Sequence, residues 1–150
     1  MQGKATFGGH PIHPVLVAYP MGFYVGSLIS DILFYFTKLP MWVSFSEALI
    51  GFGVVGALLA ALFGFIDYFS APMSAEIKST ATLHMIINLV VTLIFVVDFF
   101  VRQQNGTSVA GYVLTVIGVI LLMVAGYLGG HLAYVGKVGV KEDAQASGSH

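Results

Sequence analysis

The chain reads as an all-α protein, four membrane-crossing helices in an antiparallel, up-down-up-down bundle. Three observations predict this. Of its 150 residues, 57% are hydrophobic and 9% charged, and the mean hydropathy is +0.91, whereas an ordinary soluble domain carries roughly 25% charged residues. Four stretches, Val15–Phe36, Phe45–Phe69, Thr80–Val101 and Val109–Tyr134, reach the ~20 apolar residues that a ~30 Å hydrocarbon core requires. The segments between them are short, which makes sequential helices antiparallel neighbours.

The first span opens behind Pro14, a residue suited to a first helical turn because its missing N–H would have no partner there. It is too long for a cleaved signal peptide and carries Pro20 and Asp31. Lys38-Leu39-Pro40-Met41 turns the chain into the second span, with Trp42 as an interfacial anchor. Ser70 to Ala75 joins spans two and three, and Gln103 to Ser108 joins three and four. Residues 1–140 form one integral membrane domain, and the polar, aperiodic 141–150 segment reads as a disordered tail in which His150 is incidental.

Composition excludes several function classes. A net charge of −1 implies no nucleic-acid partner. Without cysteine there is no disulfide, thiolate metal site, c-type haem attachment or Cys-held iron–sulfur cluster. No serine or threonine sits with a base in a hydrolase motif. Lys4, Lys78, Lys137 and Lys141 share the side of both termini, against Lys38 and Arg102 on the other. This excess predicts cytoplasmic termini in a multi-pass protein of the bacterial inner membrane.

Small residues recur every four positions at Gly22, Gly26 and Ser30, at Gly56, Ala60 and Gly64, and at Ala125 with Gly129 and Gly126 with Gly130. That spacing lets helix backbones approach, or leaves a groove for a flat ligand.

The up-down order brings the start of span one, the end of span two, the start of span three and the end of span four to one leaflet. There lie His10, His13, Asp67, His84 and His131. His10 and His13 each precede a proline, which predicts extended backbone for both; the plainer reading makes them a solvated residue and a helix cap. His84 and Asn88 are four apart and share a helix face that must look inward; a structural hydrogen-bond pair is the plainer alternative. His131 follows Gly129 and Gly130 and has Tyr127 and Tyr134 on its own helix.

Two kinds of centre suit this set. Haem b takes two imidazoles from different helices across a slot that glycine leaves open. His84 and His131 are the expected axial ligands, with Gly130 beside the slot, Asn88 or Asp67 orienting an imidazole, His13 either a ligand of a second centre or a hydrogen-bond partner at the mouth, and His10 a further cofactor-binding candidate. Propionates would face Lys78, Lys137 and Lys141. Alternatively, His13, His84, His131 and Asp67 offer three nitrogens and an oxygen to zinc, copper or non-haem iron. The same groups could instead relay protons or ions, and a polar track through Asp31 and Asp98 would favour transport; the plainer reading leaves these two carboxylates solvated at the far leaflet.

Gly9-His10-Pro11-Ile12-His13-Pro14, Gly64-Phe65-Ile66-Asp67, His84 with Asn88, Gly129-Gly130-His131-Leu132-Ala133-Tyr134 and Gly136-Lys137-Val138-Gly139-Val140 resemble a bacterial membrane family, domain-of-unknown-function family two-two-three-one. The resemblance covers about residues 8–140, although Tyr134 to Lys137 is more apolar than the family's end motif. Some members are joined to a Rieske-type iron–sulfur domain. That implies an electron-transfer context with a quinone, Rieske-type or cytochrome partner, and favours haem over a structural ion. A homo-oligomer is compatible with these features.

Overall fold

A computed structural model describes residues 6–7 and 10–136, with side chains from Ile12 onward. It contains four long helices, α1 (Ile12–Thr37), α2 (Met41–Ser70), α3 (Ala75–Gln104) and α4 (Val109–Tyr134), all long and apolar enough to cross a membrane. The chain is thus an all-α, multi-pass membrane protein. Ahead of α1, the paired two-residue strands β1 (Thr6–Phe7) and β2 (His10–Pro11) form a small antiparallel ladder.

Helix α4 coincides with its expected span, whereas α1, α2 and α3 extend beyond theirs at both ends. On α3, the Ser74 hydroxyl caps the first turn by accepting from Ile77 N at 3.3 Å, and Glu76 suits the positive end of the helix dipole. His84 therefore lies nine residues inside α3, deeper than the apolar pattern suggested. His13 corrects another expectation: it is in the first turn of α1, not in extended backbone. Pro14 follows it within that same turn, where N–H groups have no intrahelical partner, so proline costs no helix hydrogen bond. His10 is in the extended β2 as expected. Its side chain, together with Lys4, Lys137, Lys141 and the 141–150 segment, lies outside the described residues.

Each helix packs on its neighbours in a ring, α1 on α2, α2 on α3, α3 on α4 and α4 on α1. Opposite helices α1 and α3 meet across the middle, where Tyr24 stacks on Phe95 with ring centroids 3.6 Å apart and planes within 3°. Ile50, Val91, Val119 and Leu122 complete this core. The outer faces carry Ile29, Phe52, Leu62, Leu93, Ile120 and Met123, all exposed. Such a surface suits lipid and would be costly in water.

Candidate functional site

A cavity of about 420 Å³ opens at the end of the bundle that holds the start of α1, the end of α2, the 71–74 turn and the end of α4. His13 and His84 both line it, from opposite helices. His13 Nδ1 is 2.8 Å from the Ala60 carbonyl of α2, and His84 Nδ1 is 2.9 Å from the Ala125 carbonyl of α4. A carbonyl only accepts, so each imidazole must carry its proton on Nδ1. In the neutral ring this leaves Nε2 with its lone pair, the tautomer used by histidine ligands whose other nitrogen is anchored to a carbonyl.

These anchoring carbonyls are accessible because the stripes of small residues predicted in spans two and four run past them. One turn on from Ala60 and Ala125 come Gly64 and Gly129. A Cβ at Gly64 would come within 2.8 Å of His13 Cε1, and one at Gly129 within 3.0 Å of His84 Cε1. Glycine here leaves room for an imidazole edge.

Asn88 is one turn along α3 and lines the same cavity. Its Nδ2 donates to the His84 carbonyl at 2.8 Å and lies 3.2 Å from His84 Nε2 and 3.4 Å from Nδ1. An atom on the lone-pair axis of one ring nitrogen would be much farther from the other. Asn88 therefore rests over the ring and leaves the outward direction of Nε2 open. Asp67 and Tyr68 wall the outer part of the cavity. The Tyr68 hydroxyl bonds Thr82 at 2.8 Å, and the Lys78 ammonium sits over the Tyr68 ring and donates to the Tyr68 carbonyl.

His131 stands elsewhere. Gly129, Gly130, Leu132 and Ala133 line the cavity, but His131 does not. It is two residues beyond Gly129, about 200° around a helix of 3.6 residues per turn, so sharing a leaflet does not give it the same face. The compact ion site is likewise not assembled: among the described residues no group of three or more His, Cys, Asp or Glu comes together to hold a metal. The four groups expected to form it are spread over four helices and more than one face.

The far end of the bundle also corrects the sequence reading. Asp31 and Asp98 are both buried rather than solvated, and only Asp31 borders open space, a second cavity of about 360 Å³. Arg102 grips Asp31 through both guanidinium ends, Nη1 to Oδ1 at 3.0 Å and Nη2 to Oδ2 at 2.7 Å, and donates from Nε to Asp98 Oδ1 at 2.9 Å. The Thr115 hydroxyl accepts from Arg102 Nη2 at 2.8 Å and donates to Asp98 Oδ2 at 2.7 Å. Arg102 is 1% exposed, and Asp98 and Thr115 are fully buried. Sequence reasoning placed Arg102 in the loop tally and missed it as the hub. The available signal was Asp98 and Arg102 four apart on one helix face. Between this network and the cavity lies the apolar layer of Tyr24, Phe95, Val91 and Leu122, which separates the two polar ends.

No curated protein and no solved structure matches this chain. A family model does: the chain belongs to the family described as predicted membrane protein (DUF2231), whose model matches residues 9–142.

Proposed function

We propose that this membrane protein binds haem b in the cavity, with His13 and His84 as axial ligands, and carries single electrons. One observation carries the reading: two imidazoles on opposite helices line one cavity, each anchored through Nδ1 to a main-chain carbonyl, so that each offers Nε2. The ligand pair differs from the sequence expectation of His84 with His131, because His131 is off the cavity wall. The chamber suits a flat, largely apolar ring. Its volume falls in the ~300–1,000 Å³ range of cofactor pockets, and the nearest helix positions are alanine and glycine. Asp67 and Tyr68 line the cavity, and the Lys78 ammonium lies over the Tyr68 ring and bonds the Tyr68 carbonyl.

If both histidines held the haem iron, no coordination position would be left for oxygen, and the group would supply electron transfer rather than oxygen chemistry. Its partners would be a quinone and a soluble or fused Rieske-type or cytochrome domain. The location is the bacterial inner membrane, with the termini in the cytoplasm on the strength of the lysine excess beside them. Ion binding or proton transport through the same groups has less support, since the far carboxylates are closed into their own network.

The test is purification after expression with haem supply. A red protein is expected, with a sharp reduced spectrum unchanged by carbon monoxide. His13→Ala and His84→Ala should each lose most of the pigment, while His131→Ala keeps it. Full pigment in the His13→Ala, His84→Ala double variant, or pigment that depends on His131, would refute the assignment.

A further inference from the structure

The two helical hairpins, α1–α2 and α3–α4, correspond at a set of core, cavity and charge-network positions. On α1 and α3 the correspondence runs at a constant offset of 71: His13 with His84, Tyr24 with Phe95, Ser27 with Asp98, and Asp31 with Arg102, the last pair bonded to each other across the bundle. On α2 and α4 the offset is 65: Gly53 with Gly118, Ala60 with Ala125, Gly64 with Gly129. The contacts repeat as well as the letters. His13 bonds Ala60 and packs on Gly64, as His84 bonds Ala125 and packs on Gly129. Gly53 takes the flank of the Tyr24 ring, as Gly118 takes that of Phe95. Cavity-lining positions 14, 17, 20 and 21 of α1 map onto 85, 88, 91 and 92 of α3, which line it too.

We infer that the chain is a tandem duplication of one hairpin, wrapped about an internal two-fold axis that passes between Tyr24 and Phe95, and that the Asp31–Arg102 pair makes each half pair with the other rather than with a copy of itself. The cavity is then one site made of two equal half-sites, an imidazole with the carbonyl that holds it and the glycine that clears it. This inference stands on the repeated contacts and not on which group the cavity takes.

The role of the charge pair follows from its position. A residue close to a two-fold axis meets its own counterpart. Two copies of the first hairpin would set aspartate against aspartate, and two of the second would set arginine against arginine, both in low dielectric where like charges strongly disfavour the wrong partner. Opposite charges at equivalent positions admit only the mixed pairing. The rest of the network departs from symmetry to serve that arginine. Gly111 stands where the first hairpin has Ser46, and a Cβ there would come within 3.1 Å of the Arg102 side chain. Thr115 stands in place of Ile50 and supplies the hydroxyl that bridges Arg102 and Asp98.

If the halves are equivalent, the network can be moved to the other half. In the full-length chain, one variant carries Ser27→Asp, Asp31→Arg, Ser46→Gly and Ile50→Thr, which sets arginine against Arg102. A second adds Asp98→Ser, Arg102→Asp, Gly111→Ser and Thr115→Ile, which restores every opposite-charge contact on exchanged helices. Yield of monodisperse protein in detergent and its unfolding temperature are measured for both. The half exchange is expected to lose yield about tenfold or more, and the full exchange to recover most of it. No recovery in the full exchange, together with no recovery in the charge reversal alone, overturns the inference. Since eight changes can fail through packing alone, the charge reversal is also made by itself. Asp31→Arg with Arg102→Asp should fold better than either single reversal, and a double variant no better than its singles counts against mutual selection.

Discussion

The two ends of this bundle use the same helices to opposite effect. At one end Asp31, Asp98, Arg102 and Thr115 satisfy each other, and the cavity of about 360 Å³ beside them reaches only Asp31 of the four. At the other end His13 and His84 spend one nitrogen each on a carbonyl and keep the second, with a cavity between them. A polar group in a membrane is expensive unless paired. The difference therefore separates groups spent on holding the helices together from groups with a nitrogen left over, which the proposed reading gives to a bound cofactor. Where the repeat is broken, as at Asp31 opposite Arg102, the chain is self-contained. Where it is kept, as at His13 opposite His84, one nitrogen of each imidazole is left unspent beside a shared cavity.

The largest effect that could break this comparison is at Arg102. Arg102→Met keeps most of the side-chain volume but leaves Asp31 and Asp98 buried without their cation. The loss of one partner from a buried ion pair costs about 3–5 kcal/mol, and here two carboxylates are stranded. We expect little folded protein, read as aggregation in size-exclusion chromatography and a collapse of the unfolding temperature. An Arg102→Met protein that unfolds within a few degrees of the parent would show that the far end does not hold the bundle. Thr115→Val is the milder version. It removes the hydroxyl that accepts from Arg102 and donates to Asp98, an expected loss of about 1–3 kcal/mol with the pigment of the folded fraction unchanged.

How much of this was visible in the sequence depends on what each feature needs. Helix number, order and approximate ends follow from apolar runs and short connections, both local properties, so the fold was legible in outline. His13 and His84 were legible as polar residues at one end of the bundle, but their pairing was not, because leaflet depth says nothing about which face a helix turns inward. His131 shows the cost: its glycine neighbours were the right signal, yet the glycines line the cavity and the histidine does not. The internal repeat was hidden because the first hairpin separates its histidine from the anchoring alanine by 47 residues and the second by 41. With so few identities, no single period stands out. The Arg102 network joins residues 71 positions apart, and nothing local announces such a bond.

The cavity end makes the converse prediction. Gly64→Ala and Gly129→Ala each put a methyl group against an imidazole, 2.8 and 3.0 Å from Cε1 of His13 and His84. The ring must turn, and its hydrogen bond to the carbonyl one turn away is disturbed. We expect a several-fold loss of retained cofactor while the unfolding temperature of the apo protein falls only slightly, because no core contact is removed. Equal losses at the two positions would sharpen the equivalence of the halves. A loss of fold without any loss of cofactor per folded molecule would contradict the division of labour between the ends.

The smallest expected effect concerns the turn between α1 and α2, where the two ends give no guidance. Lys38 is the residue with a positive φ among the described non-glycine positions, at 56°. Its amide nitrogen still reaches the Phe34 carbonyl at 2.9 Å, closing the last turn of α1, so the left-handed conformation serves as a helix stop. A side chain there costs roughly 1 kcal/mol relative to glycine. The lysine offsets part of this by lying 4.7 Å from the Tyr35 ring centroid and 5.8 Å from that of Phe34. Lys38→Gly removes the strain and the ring contacts together, and it also frees the unfolded chain. The net expectation is a change within about 1 kcal/mol of zero, while Lys38→Ala, which loses the ring contacts but keeps the strain, should be clearly less stable than Lys38→Gly. Unfolding temperatures of the two variants, measured side by side in the same detergent, decide it. An alanine variant as stable as the glycine one would mean that the turn is set by Pro40 and the helix ends, and that the backbone at position 38 carries no strain worth relieving.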